Sequence, residues 1–131
     1  MSGIAFEHQY TVEGYITFAI EVVSGKFSGA SSFCISDKLL EDAVSHLTEM
    51  YNNLNGTYRI NDYDSTDFIL FESLMLGRLK ISGQVGGDGN YSDQYLVYQF
   101  TTDQTALRSI ILDFYRMLDG GILRIINKII E

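Results

Sequence analysis

The chain has 131 residues, 46% of them hydrophobic and 20% charged, with no proline, no tryptophan and one cysteine. That is the size of one domain, large enough to bury a core without disulfides or a structural metal. Seventeen acidic against nine basic residues leave a formal net charge of −8. The lysines and arginines are spread singly from Lys26 to Lys128, without the clustering that counterion release on nucleic acid requires, so a nucleic-acid partner is not expected.

The first third reads as β-structure. In Ile16-Thr17-Phe18-Ala19-Ile20-Glu21-Val22 large apolar side chains recur at every second residue, which puts Ile16, Phe18, Ile20 and Val22 on one face of a strand. Ser24-Gly25 offers a turn, and a second strand passes through Phe33-Cys34-Ile35. Ser36-Asp37 supplies helix-capping oxygens. Leu40, Val44, Leu47, Tyr51 and Leu54 then follow at helical spacing, with Ala43 and Met50 on the same face and Asn55-Gly56 as the left-handed stop.

A β-rich middle follows, with strands expected at Thr57 to Ile60, Phe68 to Glu72, Leu76 to Val85 and Tyr95 to Phe100. Two turn-rich stretches separate them, Asn61 to Asp67 and Gly86 to Asn90. Short connections favour antiparallel neighbours. Thr101-Thr102-Asp103-Gln104 fits a capping box, and Leu107, Ile110, Ile111, Phe114 and Leu118 give the next helix its apolar stripe, with Gly120-Gly121 as its end. The tail from Ile122 to Glu131 keeps an apolar pattern compatible with either helix or strand. The expected fold class is α+β: one domain over 1–131, with an antiparallel sheet of about five to seven strands and two or three helices packed on one face. The apolar tail, 122–131, should pack on the domain or across a homodimer.

Candidate chemistry is sparse. His8 sits near a chain end and His46 lies on the first helix, and neither has a nearby Ser, Cys or carboxylate arrangement that suggests a triad. Cys34 lies among serines and apolar residues, which do not activate a thiol. Asp62, Asp64 and Asp67 raise the question of calcium, but the loop lacks the glycine and the alternating oxygen ligands of an EF-hand. It reads instead as a solvated turn that could attract a cationic partner. Gly86-Gly87-Asp88-Gly89 leads into a strand where a phosphate cradle would lead into a helix. No catalytic residue, metal or cofactor is therefore expected. Five of the nine tyrosines, Tyr58, Tyr63, Tyr91, Tyr95 and Tyr98, crowd the β-rich half, and tyrosine is enriched where proteins bind proteins. The expected partner-binding residues are Asp62, Tyr63, Asp64, Asp67, Asp88 and Tyr91. The N-terminus carries no secretory pattern and no stretch is long enough to span a bilayer, which points to a cytoplasmic protein without a membrane partner.

Four segments carry a family likeness: Gly25-Lys26-Phe27-Ser28-Gly29, Leu54-Asn55-Gly56-Thr57-Tyr58, Gly77-Arg78-Leu79-Lys80-Ile81-Ser82-Gly83, and the run from Tyr98-Gln99-Phe100 through Thr105-Ala106-Leu107. With them, over about residues 14 to 118, the chain resembles the WapI-type immunity proteins of bacteria. The resemblance implies a small acidic cytosolic protein that neutralises a cognate toxin domain, often a nuclease, by covering its basic active site. An accessory domain that binds a small molecule or assembles with itself is the other role compatible with these features.

Overall fold

The computed structural model describes residues 2–87 and 94–118. Three strands come first: β1 (Ser2–Val12), β2 (Tyr15–Ser24) and β3 (Phe27–Ser36). They form an antiparallel meander in the order β1-β2-β3. Helix α1 (Asp37–Asn53) follows, then β4 (Thr57–Asn61), β5 (Phe68–Ser73), a single 3-10 turn (Met75–Gly77), β6 (Arg78–Val85), β7 (Leu96–Asp103) and α2 (Gln104–Met117). Strands β4 to β7 form a second antiparallel meander in sequence order.

The fold is α+β, with seven strands and two helices among the described residues. The strands divide between two sheets, where the patterning led us to expect one. Alternation fixes which face of a strand is apolar and leaves open which edges pair. Here α1 separates β3 from β4 in sequence, and among the described residues each meander pairs within itself.

The two sheets and both helices share one core. Ile16, Phe18, Ile20 and Val22 are all buried, as the alternation on β2 requires. Phe18 is the hub of an aromatic cluster, with ring centroids 6.0 Å from Phe6, 5.9 Å from Phe33 and 5.9 Å from Phe114. Phe114 brings α2 onto the first sheet, and it also meets Phe6 edge-on at 4.8 Å. The expected stripe on α2 is buried throughout, from Leu107 to Leu118, and Tyr115 and Met117 join it.

Several boundaries differ from the sequence reading, each for a local reason. The chain start is strand β1, with His8 inside it, because every residue from Ser2 to His8 pairs in register with β2. At the end of α1 the left-handed residue is Leu54 (φ 55°), whose N–H donates to Met50 O at 2.8 Å. Leu54 is thus exposed and leaves the apolar stripe. Leu76 does not begin a strand. It sits at the tip of the β5–β6 connection with φ 61° and is 95% exposed, so β6 starts at Arg78. Thr101 and Thr102 stay in β7, paired with Lys80 and Leu79. The cap of α2 is therefore Asp103, whose carboxylate accepts from Ala106 N at 3.1 Å. The expected helix end at Gly120-Gly121 and the apolar tail, 122–131, lie outside the described residues.

Candidate interaction surface

The β4–β5 connection, residues 62–67, does not stand out into solvent as its polarity implied. Asp62 is 7% exposed and Asp67 1%. The reason is a set of hydrogen bonds that consumes both carboxylates. Asp62 accepts from Cys34 N at 2.8 Å through Oδ1 and from Ser65 Oγ at 2.6 Å through Oδ2. Asp67 accepts from Ser31 Oγ at 2.7 Å through Oδ2, and from Gly87 N at 2.9 Å and Gln84 Nε2 at 3.1 Å through Oδ1. A buried carboxylate is tolerable only with such donors around it. Asp67 thereby ties β3 of one sheet to β6 and the residues after it in the other.

The same loop places two side chains outward. Tyr63 N donates to Cys34 O at 2.9 Å, so the loop runs along the edge of β3 like a short extra strand. Tyr63 and Asp64 then project into water, Tyr63 with 71% of its surface exposed. The Tyr63 ring rests against Tyr15, with centroids 5.6 Å apart and planes inclined at 60°.

Tyr15 opens β2 beside Val12, its register partner on β1. The two residues between them, Glu13 (φ 50°) and Gly14 (φ 82°), both take left-handed backbone, the geometry of the tight hairpin turn that matches strand twist. Because Ile16 faces the core, Tyr15 and Thr17 face outward, and Tyr10, paired with Thr17, shares that face. A β-bulge between His8 and Tyr10 shifts the register by one residue and sets Tyr10 and Val12 on the outer side. Tyr10, Val12, Tyr15 and Tyr63 are all exposed and make an aromatic patch at one end of the first sheet.

Three acidic residues rim the patch: Glu13 in the turn, Asp37 at the start of α1, and Asp64. The Asp37 carboxylate lies over the turn, 3.6 Å from where a Cβ on Gly14 would stand, while Asp37 N donates to Gly14 O at 2.8 Å. Among the described residues, the carboxylates of Glu13, Asp37 and Asp64 have no hydrogen-bond or ion-pair partner. They are free to act on an approaching charge.

Of the residues expected to bind a partner, Tyr63 and Asp64 are on the surface, whereas Asp62 and Asp67 are buried scaffold that positions them. Asp88 and Tyr91 lie outside the described residues. Tyr10, Val12 and Tyr15 escaped the sequence reading. Their signal was the two-residue Glu13-Gly14 between a Tyr10-Thr11-Val12 alternation and the Ile16 to Val22 alternation, which marks a hairpin. The other tyrosines divide. Tyr98 is buried and Tyr95 is exposed. Tyr58 donates its hydroxyl to Asp42 Oδ2 at 3.0 Å. Burial, helped by that carboxylate's hydrogen bond and charge, raises the Tyr58 pKa well above the ordinary tyrosine value.

His46 stacks on Tyr58, with centroids 5.0 Å apart, and its Nδ1 lies 3.4 Å from Asp42 Oδ1. This acid–imidazole–phenol cluster is on the outer face of α1. The raised pKa keeps the Tyr58 phenol protonated at neutral pH, so that hydroxyl is not an activated nucleophile. His8 Nε2 meets Thr11 Oγ1 at 2.8 Å on exposed β1. No group of three His, Cys, Asp or Glu residues is placed to hold a metal among the described residues. Clefts of about 460 Å³ and about 270 Å³ are lined by surface residues, the first by Ser36, Lys38, Leu39, Glu41 and Asp42. No helix among the described residues is long and apolar enough to cross a membrane. Comparison with protein-family models, curated proteins and solved structures returns no match.

Proposed function

We propose that this chain is a protein-binding module that acts as an immunity protein, neutralising a cognate bacterial toxin domain in the cytoplasm by covering its basic active site. The observation that carries a binding role is the patch of Tyr10, Val12, Tyr15 and Tyr63, exposed together at one end of the first sheet. Tyrosine supplies large contact area with little rotamer entropy to lose and a hydroxyl for the rim, which is why it concentrates in binding surfaces. The carboxylates of Glu13, Asp37 and Asp64, without partners among the described residues, lie beside it, and an apolar centre with a polar rim is the ordinary anatomy of an interface. The identity of the partner comes from the likeness to WapI-type immunity proteins and from the net charge of −8. A nuclease site is basic in order to hold phosphate, so an acidic surface complements it.

The test is functional. The chain serves as bait for affinity capture in its native host, and the captured protein is then expressed alone, with the chain, and with a Tyr15→Ala/Tyr63→Ala variant. The expected result is a basic protein whose toxicity the chain suppresses and the variant does not. A partner with no toxicity, or suppression that survives the double substitution, overturns the proposal.

A further inference from the structure

Resting on the reading of this patch as the binding surface, we infer that it takes an arginine side chain of the partner, stacked on the Tyr63 ring and paired with a rim carboxylate. Tyr63 is the most exposed member of the patch. Its backbone is clamped to β3 through Cys34 O, and Tyr15 supports the ring from one side. A held aromatic ring with most of its surface in water offers a flat, electron-rich face, to which a planar cation is drawn.

The rim decides the sign of the ligand. Glu13, Asp37 and Asp64 carry carboxylates that have no partner among the described residues, and Lys38 follows Asp37 in sequence. A carboxylate beside an aromatic face selects guanidinium over ammonium. The guanidinium stacks through its plane and donates through its edge at the same time, and it is less strongly hydrated than an ammonium. The molecule already uses this chemistry internally. Arg59 lies 3.8 Å above the Phe68 ring while its Nε donates to Asn61 Oδ1 at 2.8 Å. On the patch the aromatic face and the acceptors are present, and among the described residues no cation is paired with them. The patch therefore complements a partner surface bearing an exposed arginine.

Fluorescently labelled hexa-arginine and hexa-lysine peptides, equal in length and charge, test this directly. Anisotropy titrations at physiological salt compare the whole chain with its Tyr63→Leu and Tyr63→Phe variants. Hexa-arginine should bind the unaltered chain about three- to fivefold more tightly than hexa-lysine. Tyr63→Leu should remove that preference, and Tyr63→Phe, which keeps the aromatic face, should retain it. Tyr63 is exposed, so both variants are expected to fold, and a thermal melt checks this. Equal binding of the two peptides, or a preference undiminished in Tyr63→Leu, overturns the inference. Either result leaves the patch as an interface to be judged by the neutralisation assay, which does not depend on arginine.

Discussion

The Asp62 carboxylate and the Cys34 backbone are joined at 2.8 Å, and Cys34 returns its carbonyl to Tyr63 N at 2.9 Å. This pair of bonds fixes the loop to the edge of β3 and carries Tyr63 onto the face that Tyr15 occupies. A residue that looked like bait for a cation is in effect a bracket for its neighbour.

Asp62→Ala should therefore act on both stability and binding. It leaves Cys34 N and Ser65 Oγ without their acceptor in a buried place, which costs on the order of 2–3 kcal/mol. Asp64→Asn, on the exposed neighbour, should change stability by less than about 0.5 kcal/mol. Urea midpoints of the two variants should separate clearly. If they coincide, the bracket contributes nothing.

Tyr98 gives a pH prediction. Its hydroxyl is buried without a hydrogen-bond partner among the described residues. Burial, and secondarily the charge of Asp67, push its pKa well above the ordinary value. The unfolded chain ionises tyrosine near pH ~10, while the folded chain resists ionisation. Stability from this group is thus complete below pH ~10 and is lost as pH rises beyond it. Tyr98→Phe removes both the orphaned hydroxyl and the titration. It should raise stability at neutral pH by about 1 kcal/mol and flatten the alkaline fall, read by urea unfolding at pH values from about 8 to 11. An unchanged alkaline slope would assign the fall to other groups.

The partner of Tyr98 across the sheet is Gly83. A Cβ at Gly83 would collide with Phe68 O and come within 2.7 Å of the Tyr98 hydroxyl. The Phe68 carbonyl is backbone and cannot swing aside, so Gly83→Ala should destabilise by about 1–3 kcal/mol or more. Ala at the outward neighbour, Ser82→Ala, should be nearly neutral in the same thermal melt.

Much of this fold was written in periodicity. The alternation at Ile16, Phe18, Ile20 and Val22 and the helical spacing at Leu107, Ile111 and Phe114 reported burial correctly, because each depends only on local geometry. What was hidden depended on distant chain. Asp62 and Asp67 have the sequence context of a solvated turn, and their burial follows from donors on Cys34, Ser31 and Gln84. The division into two sheets likewise depends on which edges meet. The candidate surface was half visible for the same reason: Tyr63 and Asp64 stand in one loop, whereas Tyr10, Val12 and Tyr15 join them only through a hairpin and a bulge.

Leu54 is a test of local strain. It is exposed and holds left-handed backbone at the end of α1, a position that favours glycine. For an L side chain that conformation costs about 1–2 kcal/mol, partly offset by glycine's greater freedom in the unfolded chain. Leu54→Gly should raise stability by about 0.5–1 kcal/mol. Lower stability would mean that the Leu54 side chain contributes more by packing than its exposure implies.

The rim charges should govern the rate at which the partner is found. Glu13 and Asp64 are exposed and have no partner among the described residues, and neither lies in a helix, so replacing them with Gln and Asn removes charge and little else. Steering by rim charges acts over roughly a Debye length, about 8 Å at physiological salt, and is screened as salt rises. The Glu13→Gln/Asp64→Asn variant should associate more slowly with the basic partner at low salt and show a shallower salt dependence, with an unchanged melting temperature. Adding Asp37→Asn should slow it further. Because Asp37 sits in the first turn of α1, that step should also lower stability by about 0.3–1 kcal/mol, as a carboxylate there complements the helix dipole. The dissociation rate should move less than the association rate, since contacts at the tyrosines persist. Stopped-flow binding across a salt series separates the two rates. Association of the double variant as fast as the unaltered chain at low salt would remove Glu13 and Asp64 from the encounter surface, and Tyr15 and Tyr63 would then have to act without electrostatic help.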